Sequence, residues 1–118
     1  MKVKRGDVVL LSFPFSDGDA TKVRPALVVQ DNDLNKRLNS TVVAMITTHR
    51  PSMTAAHVTI SLDTDAGRAS GLLHDSTVKC HNLFTIHQSK IMRSIGKLPS
   101  NEMDNIDHGV VTALDLPR

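Results

Sequence analysis

Short apolar runs, each about as long as a β-strand, recur through most of the chain. They are residues 8–11, 26–29, 41–46, 57–62, 76–80 and 83–86. The first three are continuous and rich in β-branched residues, which is typical of strands covered on both faces. Residues 57–62 instead alternate between apolar and polar positions, which indicates one buried and one solvent-exposed face. The pattern predicts five or six short strands.

The segment after Pro99 has the periodicity of an amphipathic helix. Pro99 and Ser100 form a helix start signal, and an apolar stripe follows them at helical spacing. The stripe consists of Met103, Ile106, Val110 and Leu114. Gly109 weakens such a helix by about 1 kcal/mol relative to Ala, so we expect packing against the sheet to compensate.

Turn-forming residues separate the strands and define the fold class. Loops are predicted at residues 16–19, 31–33 and 63–67, where Asp, Asn and Gly cluster. No linker or repeat interrupts the pattern, so residues 1–118 are expected to form a single domain. Short strands followed by one helix predict a mainly β protein of the α+β type, a small antiparallel barrel with a C-terminal helix against it.

Composition limits which cellular compartment and which cofactors are expected. Cys80 is the single cysteine, so neither a disulfide framework nor a thiolate zinc cluster is expected. The six histidines show no metal-ligand spacing, and we expect neither a metal ion nor another cofactor. The N-terminus is too charged for a signal peptide, and no apolar run approaches the roughly 20 residues that span a bilayer. We therefore expect a cytoplasmic protein that does not enter the membrane.

The charge balance permits a nucleic-acid partner without indicating one. Fourteen Lys and Arg residues stand against twelve Asp and Glu, giving a net charge of +2. The only aromatic residues of the Phe, Tyr and Trp classes are Phe13, Phe15 and Phe84. A base-stacking platform is therefore not expected. Contacts to a nucleic acid would depend on charge, hydrogen bonds and shape.

The first concentration of functional residue types lies at Lys22, Arg24 and Pro25. Proline is tolerated at the start of a strand, and it also restricts the residue before it. We therefore expect Arg24 to be held on a stiff stretch at the start of this strand, at the rim of the sheet. A guanidinium in that position suits recognition of a phosphate. The alternative is a surface arginine paired with Asp19 or Asp31.

The second concentration lies where the strand of residues 41–46 ends, at Thr47, Thr48, His49 and Arg50. Hydroxyls at a strand end can donate to a phosphoryl oxygen, and an imidazole titrates near neutral pH. The alternative is an ordinary turn in which the threonines cap the backbone.

The third concentration is residues 78–82. If they form a strand, Lys79 and His81 lie on one face and Cys80 on the other. A cation and an acid–base group would then stand side by side. The alternative is two exposed polar residues on an amphipathic strand.

Taken in order, these segments resemble the MazF/PemK family of toxin endoribonucleases, the mRNA interferases of type II toxin–antitoxin systems. The resemblance covers nearly the whole chain. It is carried by residues 6–10, 24–29, 41–48, 57–62, 71–72, 76–78, 85–86 and 97–98 and by the C-terminal helix. It implies an SH3-like barrel of the CcdB/MazF-like toxin fold and a homodimer. It also implies cleavage of single-stranded RNA and inhibition by a cognate antitoxin protein.

The resemblance also suggests roles for individual residues. By position, Arg24 and Thr47 correspond to the catalytic arginine and threonine of the family, and Thr48 is a neighbouring contact. Asp19 falls where some members carry a functional acidic residue. The remaining substrate-binding candidates are Lys22, His49, Lys79 and Asn82.

One strand departs from the family pattern. Lys79 and His81 fall where some members carry an Arg and an Asp, and Asn82 stands where a glutamine is common. A lysine cannot reproduce the bidentate fork of an arginine, and an imidazole replaces a carboxylate at position 81. The acid–base chemistry and the base readout of this strand are therefore expected to differ from the family's.

The chemistry implied is metal-independent. The 2′-hydroxyl of the RNA attacks the adjacent phosphate and gives a 2′,3′-cyclic phosphate and a free 5′-hydroxyl. Arg24 would stabilise the phosphorane and Thr47 would hold a non-bridging oxygen. His81 is the candidate base or acid, Asp19 is the alternative base, and Arg24 itself is a possible proton donor. Two rival interpretations stand beside this one: a non-enzymatic gyrase inhibitor of the CcdB type, and a catalytically silent relative that binds RNA or an antitoxin.

Overall fold

The computed structural model describes residues 2–14, 21–49 and 52–118. Six strands form in chain order: β1 (Asp7–Pro14), β2 (Thr21–Val28), β3 (Ser40–Thr47), β4 (His57–Ile60), β5 (Ser76–His87) and β6 (Ile91–Lys97). Three α-helices accompany them: α1 (Asn32–Arg37), α2 (Asp65–Ser70) and α3 (Ser100–Leu114), with a 3-10 turn at Gln88–Lys90. The predicted mainly β fold with a C-terminal helix is confirmed.

All six strands belong to one antiparallel sheet in the order β4-β5-β3-β2-β1-β6. The chain was expected to close this sheet into a barrel. In the described part of the chain, β4 and β6 are instead its two edges and are not paired with each other. The sheet is therefore open, and β2, β3 and β5 lie next to one another near its middle.

The strands bury two opposite faces, as their continuous apolar runs predicted. On the helix face, apolar side chains of the strands pack with Met103 and Ile106 of α3. On the second face, a separate cluster is formed by Val3, Val9, Leu11, Ala26, Val28, Val43 and Ile91. The side chain of Arg5 also pairs with Asp107, which ties the start of the chain to α3.

Helix α3 starts as the sequence predicts, with Pro99 at its N-cap. Met103 and Ile106 are buried, and Val110 packs against the same cluster. Leu114 is 51% exposed, so the apolar stripe stops contacting the sheet one turn earlier than expected. No helix in residues 2–14, 21–49 and 52–118 is both long and apolar enough to cross a bilayer.

Two of the predicted loops are only partly confirmed, because residues 31 and 63–64 lie outside helices whereas residues 32–33 and 65–67 begin short helices. Asp31 is the N-cap of α1, where its carboxylate accepts from the backbone N–H groups of Asp33 and Leu34. Thr64 caps α2 in the same way through the N–H of Gly67. Asp, Asn and Thr serve both turns and helix starts, and their presence alone does not separate the two. The third predicted loop, residues 16–19, lies outside the described residues.

Strand β5 joins the two short strands predicted at 76–80 and 83–86. Met45 pairs with Lys79, whereas its neighbour Ala44 pairs with Leu83. Residues 80–82 therefore form a bulge with no partner on β3. Strand β6 was not predicted, since it is an edge strand with few apolar residues.

Candidate active site

Arg24 and Thr47 lie on the same face of the sheet. The β2–β3 pairs are Val28 with Val43, Leu27 with Ala44 and Ala26 with Met45. The pairing of β2 with β3 ends at Ala26 and Met45, although β2 itself begins at Thr21, so Arg24 lies inside β2 and not at the start of a strand as predicted. Arg24 and Thr47 each lie two residues beyond that last pair. Alternation puts both on the second face, the one that holds Ala26. Both side chains are half-buried, at the point where the apolar cluster gives way to solvent.

Thr47 ends β3, and its hydroxyl is oriented by the chain that follows. The backbone N–H of His49 donates to Thr47 Oγ1 at 3.0 Å. A hydroxyl that accepts one such bond still has its own proton to donate. The turn therefore fixes Oγ1 while leaving a donor for an anionic oxygen. The threonine-capped turn, which was the alternative interpretation of this segment, therefore does not exclude a hydrogen bond from Thr47 to a phosphate.

Strand β5 extends this polar face beyond Thr47. Thr77 pairs directly with Thr47, and Lys79 pairs with Met45. In antiparallel sheets, directly opposed Cβ atoms are about 5 Å apart and diagonal neighbours about 7–8 Å apart. The ammonium group of Lys79 is thus within reach of a phosphate held at Thr47. Cys80 points the other way, into the cluster beneath α3.

His81 has an aromatic neighbour that the sequence did not indicate. Its ring contacts the ring of His57 on β4, with centroids 5.1 Å apart and planes inclined by 64°. Nδ1 of His57 accepts the backbone N–H of Thr54 at 3.0 Å and lies 2.8 Å from Thr54 Oγ1. The loop before β4 therefore holds the His57 ring, and that ring flanks the exposed His81 imidazole.

The other predicted residues lie at several separate places. Lys22 is exposed and lies two residues before Arg24, on the same face of β2. Thr48 and His49 are exposed just beyond the end of β3, and Asn82 lies in the β5 bulge. Asp19 lies outside the described residues. Asp31, named as an alternative partner for Arg24, caps α1.

Thr77 and His57 were missed because neither stands in a distinctive pattern. Thr77 follows from the β3–β5 register, and His57 from the β4–β5 pairing of His57 with Lys79. An alternating strand at 57–62 signalled that His57 and Thr59 would share a face. Nothing in the sequence specified which neighbour that face would meet.

The assembled face combines charge and proton-carrying groups around one position. A guanidinium on β2 and a hydroxyl on β3 lie on this face, and an ammonium and two imidazoles follow on β5 and β4. Such a set can hold an anionic phosphodiester and move protons beside it. Within residues 2–14, 21–49 and 52–118, no three His, Cys, Asp or Glu side chains are grouped as metal ligands.

Comparison with known proteins points to one family. Residues 4–114 match the family described as PemK-like, MazF-like toxin of type II toxin-antitoxin system. The chain is 32% identical over 118 residues to the endoribonuclease EndoA of Bacillus subtilis, covering 98% of this chain and 97% of that protein. It is 28% identical over 103 residues to endoribonuclease MazF6 of Mycobacterium tuberculosis, covering 87% and 88% of the two chains.

Solved structures share the architecture. An endoribonuclease from a mycobacterial species, in complex with its cognate antitoxin, aligns with a TM-score of 0.77 over 98% of both chains at 22% identity. A chain of the MazE–MazF crystal structure from Deinococcus radiodurans aligns with the same TM-score at 17% identity, covering 99% of this chain and 100% of that one. At these identities the similarity establishes the fold.

Proposed function

We propose that this endoribonuclease, which belongs to the family of PemK-like and MazF-like toxins of type II toxin–antitoxin systems, cuts single-stranded RNA without a metal ion. The 2′-hydroxyl of the RNA attacks its own phosphate, and the products are a 2′,3′-cyclic phosphate and a 5′-hydroxyl. The observation that supports this best is that Arg24 and Thr47 lie on one face of two neighbouring strands, each two residues beyond the last pair that joins these strands.

Arg24 and Thr47 hold the scissile phosphate in this proposal. The guanidinium of Arg24 stabilises the extra negative charge that develops on the phosphorane, which makes its contacts stronger in the transition state than in the ground state. The Thr47 hydroxyl donates to a non-bridging oxygen while His49 N–H holds its position. Together they keep the phosphate in line with the attacking oxygen.

The proton carriers are drawn from the same face. His81 takes the proton of the 2′-hydroxyl or gives one to the leaving 5′-oxygen, because an imidazole serves both steps near neutral pH. Lys79 contributes charge to the same phosphate or to the next one along the strand. Lys22, Thr48, His49 and Asn82 bind the flanking nucleotides. Asp19 remains the alternative base.

The biological role follows from the family. We propose that the chain acts on mRNA in the cytoplasm, forms a homodimer, and is inhibited by a cognate antitoxin protein. The antitoxin-bound state of the mycobacterial structure supports this partner. The gyrase-inhibitor alternative is not favoured, because the matching relatives are endoribonucleases.

The test is cleavage of single-stranded RNA by the purified chain in excess EDTA. We expect cutting, with a cyclic phosphate on one fragment and a 5′-hydroxyl on the other, and no cutting when a single 2′-deoxy nucleotide replaces the nucleotide before the cut. A preparation of Arg24→Ala made in parallel controls for contaminating nuclease. Binding without cutting would support the catalytically silent alternative, and cleavage of the deoxy substrate would reject attack by the 2′-hydroxyl.

A further inference from the structure

A polar cavity of about 230 Å³ lies beside the proposed phosphate position. It is open to solvent on one side and has a volume that accommodates a nucleobase. It is lined by Thr48, Thr59, Ser61, Asp75, Ser76 and Thr77. Five of these six residues carry hydroxyls, and among the described lining residues Asp75 alone is charged.

The register of three strands connects this cavity to Thr47. Thr77 pairs with Thr47 on β3 and with Thr59 on β4. Each step crosses about 5 Å of sheet. A phosphate held at Thr47 therefore lies one or two strand spacings from the cavity. That is the distance over which the base of a flanking nucleotide extends from its backbone.

Asp75 is held in a defined orientation. Its Oδ1 accepts the backbone N–H of Leu62 at 2.7 Å, which fixes the carboxylate relative to the end of β4. The hydroxyl of the adjacent Ser76 donates to the carbonyl of His74 at 2.8 Å. The carboxylate is exposed and borders the cavity, so its second oxygen, Oδ2, offers an acceptor to whatever enters.

We propose that this cavity is a base-selecting subsite, and that Asp75 makes it select a base with an exocyclic amino group over uracil. The inference rests on the proposed RNA cleavage and adds the identity of one recognised base. A carboxylate accepts hydrogen bonds and donates none, so it favours the amino groups of cytosine, adenine or guanine. Uracil offers carbonyl oxygens on either side of its single N–H, and these repel the carboxylate. The surrounding hydroxyls rotate to donate or accept, so they do not choose the base themselves, but their hydrogen bonds hold it against Asp75 and thereby sharpen the selection.

The variant Asp75→Asn isolates this effect. The amide oxygen of Asn can keep the bond to Leu62 N–H, while the other atom changes from an acceptor to a donor. The loss of one negative charge also strengthens binding of every RNA, whatever its sequence. Asp63→Asn is the matched control, because Asp63 is exposed, lies two residues from Ser61 and is not part of the cavity wall.

The experiment is cleavage of a randomised single-stranded RNA pool, with the ends of the fragments sequenced. At one position flanking the cut, we expect the wild type to favour amino-bearing bases over uracil by about 10- to 100-fold. Asp75→Asn should cut while losing that preference at that position only, and Asp63→Asn should keep the wild-type preference. Cleavage by Asp75→Asn with unchanged preferences at every position would overturn the subsite.

A pool left uncut by the wild type would instead refute the proposed function itself. Thr59→Val provides a second, independent variant if Asp75→Asn fails to fold. It removes one hydroxyl from the cavity wall at an exposed, β-branched position. We expect it to alter preference at the same flanking position and at no other. Unaltered preferences in Thr59→Val would count against the subsite.

Discussion

Gly109 of α3 lies directly against Cys80 of β5, so closely that a Cβ atom on Gly109 would stand 2.6 Å from Cys80 Sγ and 3.0 Å from Cys80 Cβ. The helix therefore approaches the sheet at a point that only glycine allows. The sequence indicated Gly109 as a weakness of the helix. The structure shows that it permits the close packing that compensates for this weakness.

Gly109→Ala is expected to destabilise the protein although alanine favours a helix by about 1 kcal/mol. The overpacked contact should cost about 1–3 kcal/mol, which exceeds that gain. Chemical denaturation measures the free energy of unfolding. In a Cys80→Ala background the Sγ clash disappears, so the same substitution should cost less. Equal costs in the two backgrounds would show that Cys80 is not the obstacle.

Arg24→Ala is expected to abolish RNA cleavage and the growth arrest caused by expression. Loss of the guanidinium should lower the cleavage rate by about 10²–10³-fold or more, since it removes stabilisation of the transition-state charge. Arg24→Lys keeps the charge without the fork and should recover only part of the rate. Arg37→Ala, which removes a surface arginine paired with Asp33, is the control and should cut normally. A folded Arg24→Ala protein that stayed fully active would contradict the role of Arg24.

Thr47→Val is expected to slow cleavage by about 10- to 100-fold at nearly constant side-chain volume. It removes a hydrogen bond to a charged group, which is worth about 1.5–3 kcal/mol. Thr47→Ser keeps the hydroxyl and its bond to His49 N–H, and should stay close to the wild type. Comparing kcat of the Val and Ser variants tests whether the Thr47 hydroxyl contributes to cleavage. Equal rates would remove the Thr47 hydroxyl from the mechanism.

His81→Ala is expected to change the shape of the pH–rate profile of cleavage as well as its height. Loss of a general acid or base typically costs about 10²–10⁴-fold in rate. The limb of the profile that belongs to the lost group should disappear. His108→Ala, on α3, is the matched control and should reproduce the wild-type profile. A His81→Ala profile with both limbs intact would remove His81 from proton transfer.

The thiol of Cys80 should be unreactive in the folded protein. Burial, and to a lesser extent the negative charge of Asp107, raise the pKa of this thiol from 9.0 to about 11. Alkylation at pH 8 should therefore be slower than in the denatured chain by about 100-fold or more. Iodoacetamide labelling with and without denaturant measures the difference. Equal labelling rates would contradict the burial of the thiol.

The same pKa shift has a consequence for stability at alkaline pH. The folded-state pKa lies above the unfolded value, so the neutral thiol is the form that the fold favours. Its contribution is complete below about pH 9 and is lost as the pH rises through about 11. The free energy of unfolding should fall over that window by about 2 kcal/mol more in the wild type than in Cys80→Ala.

The sequence predicts those parts of the fold that depend on local pattern. The apolar runs predict five of the six strands, and Pro99 with the stripe after it predicts α3. Helices α1 and α2 escape prediction because each has only six residues, too few to display a helical period. Residues 63–67 were predicted as a loop for the same reason, because the sequence does not show that Thr64 caps a helix there.

The candidate site is less accessible to sequence reasoning, because it depends on pairing between distant strands. Thr47 is recognisable by its position at the end of a strand, whereas Arg24 was predicted at the start of a strand and lies inside β2. Their placement on one face requires the β2–β3 register, and the contact between His57 and His81 requires the β4–β5 register. Asp75 looks like an ordinary loop residue until its bond to Leu62 and its place at the cavity are seen.

Residues 80–82 of β5, which have no partner on β3, separate two regular stretches of the β3–β5 ladder that are each fixed by their own pairs. Substitutions at 81 and 82 leave those pairs in place, and so would a small change in the length of this segment. If β5 contacts RNA as proposed, its side chains at 81 and 82 can therefore change while the rest of the sheet keeps its pairing. Among proteins with the same interrupted strand, we expect differences in the RNA sequence that is cut to arise first from substitutions within the interruption.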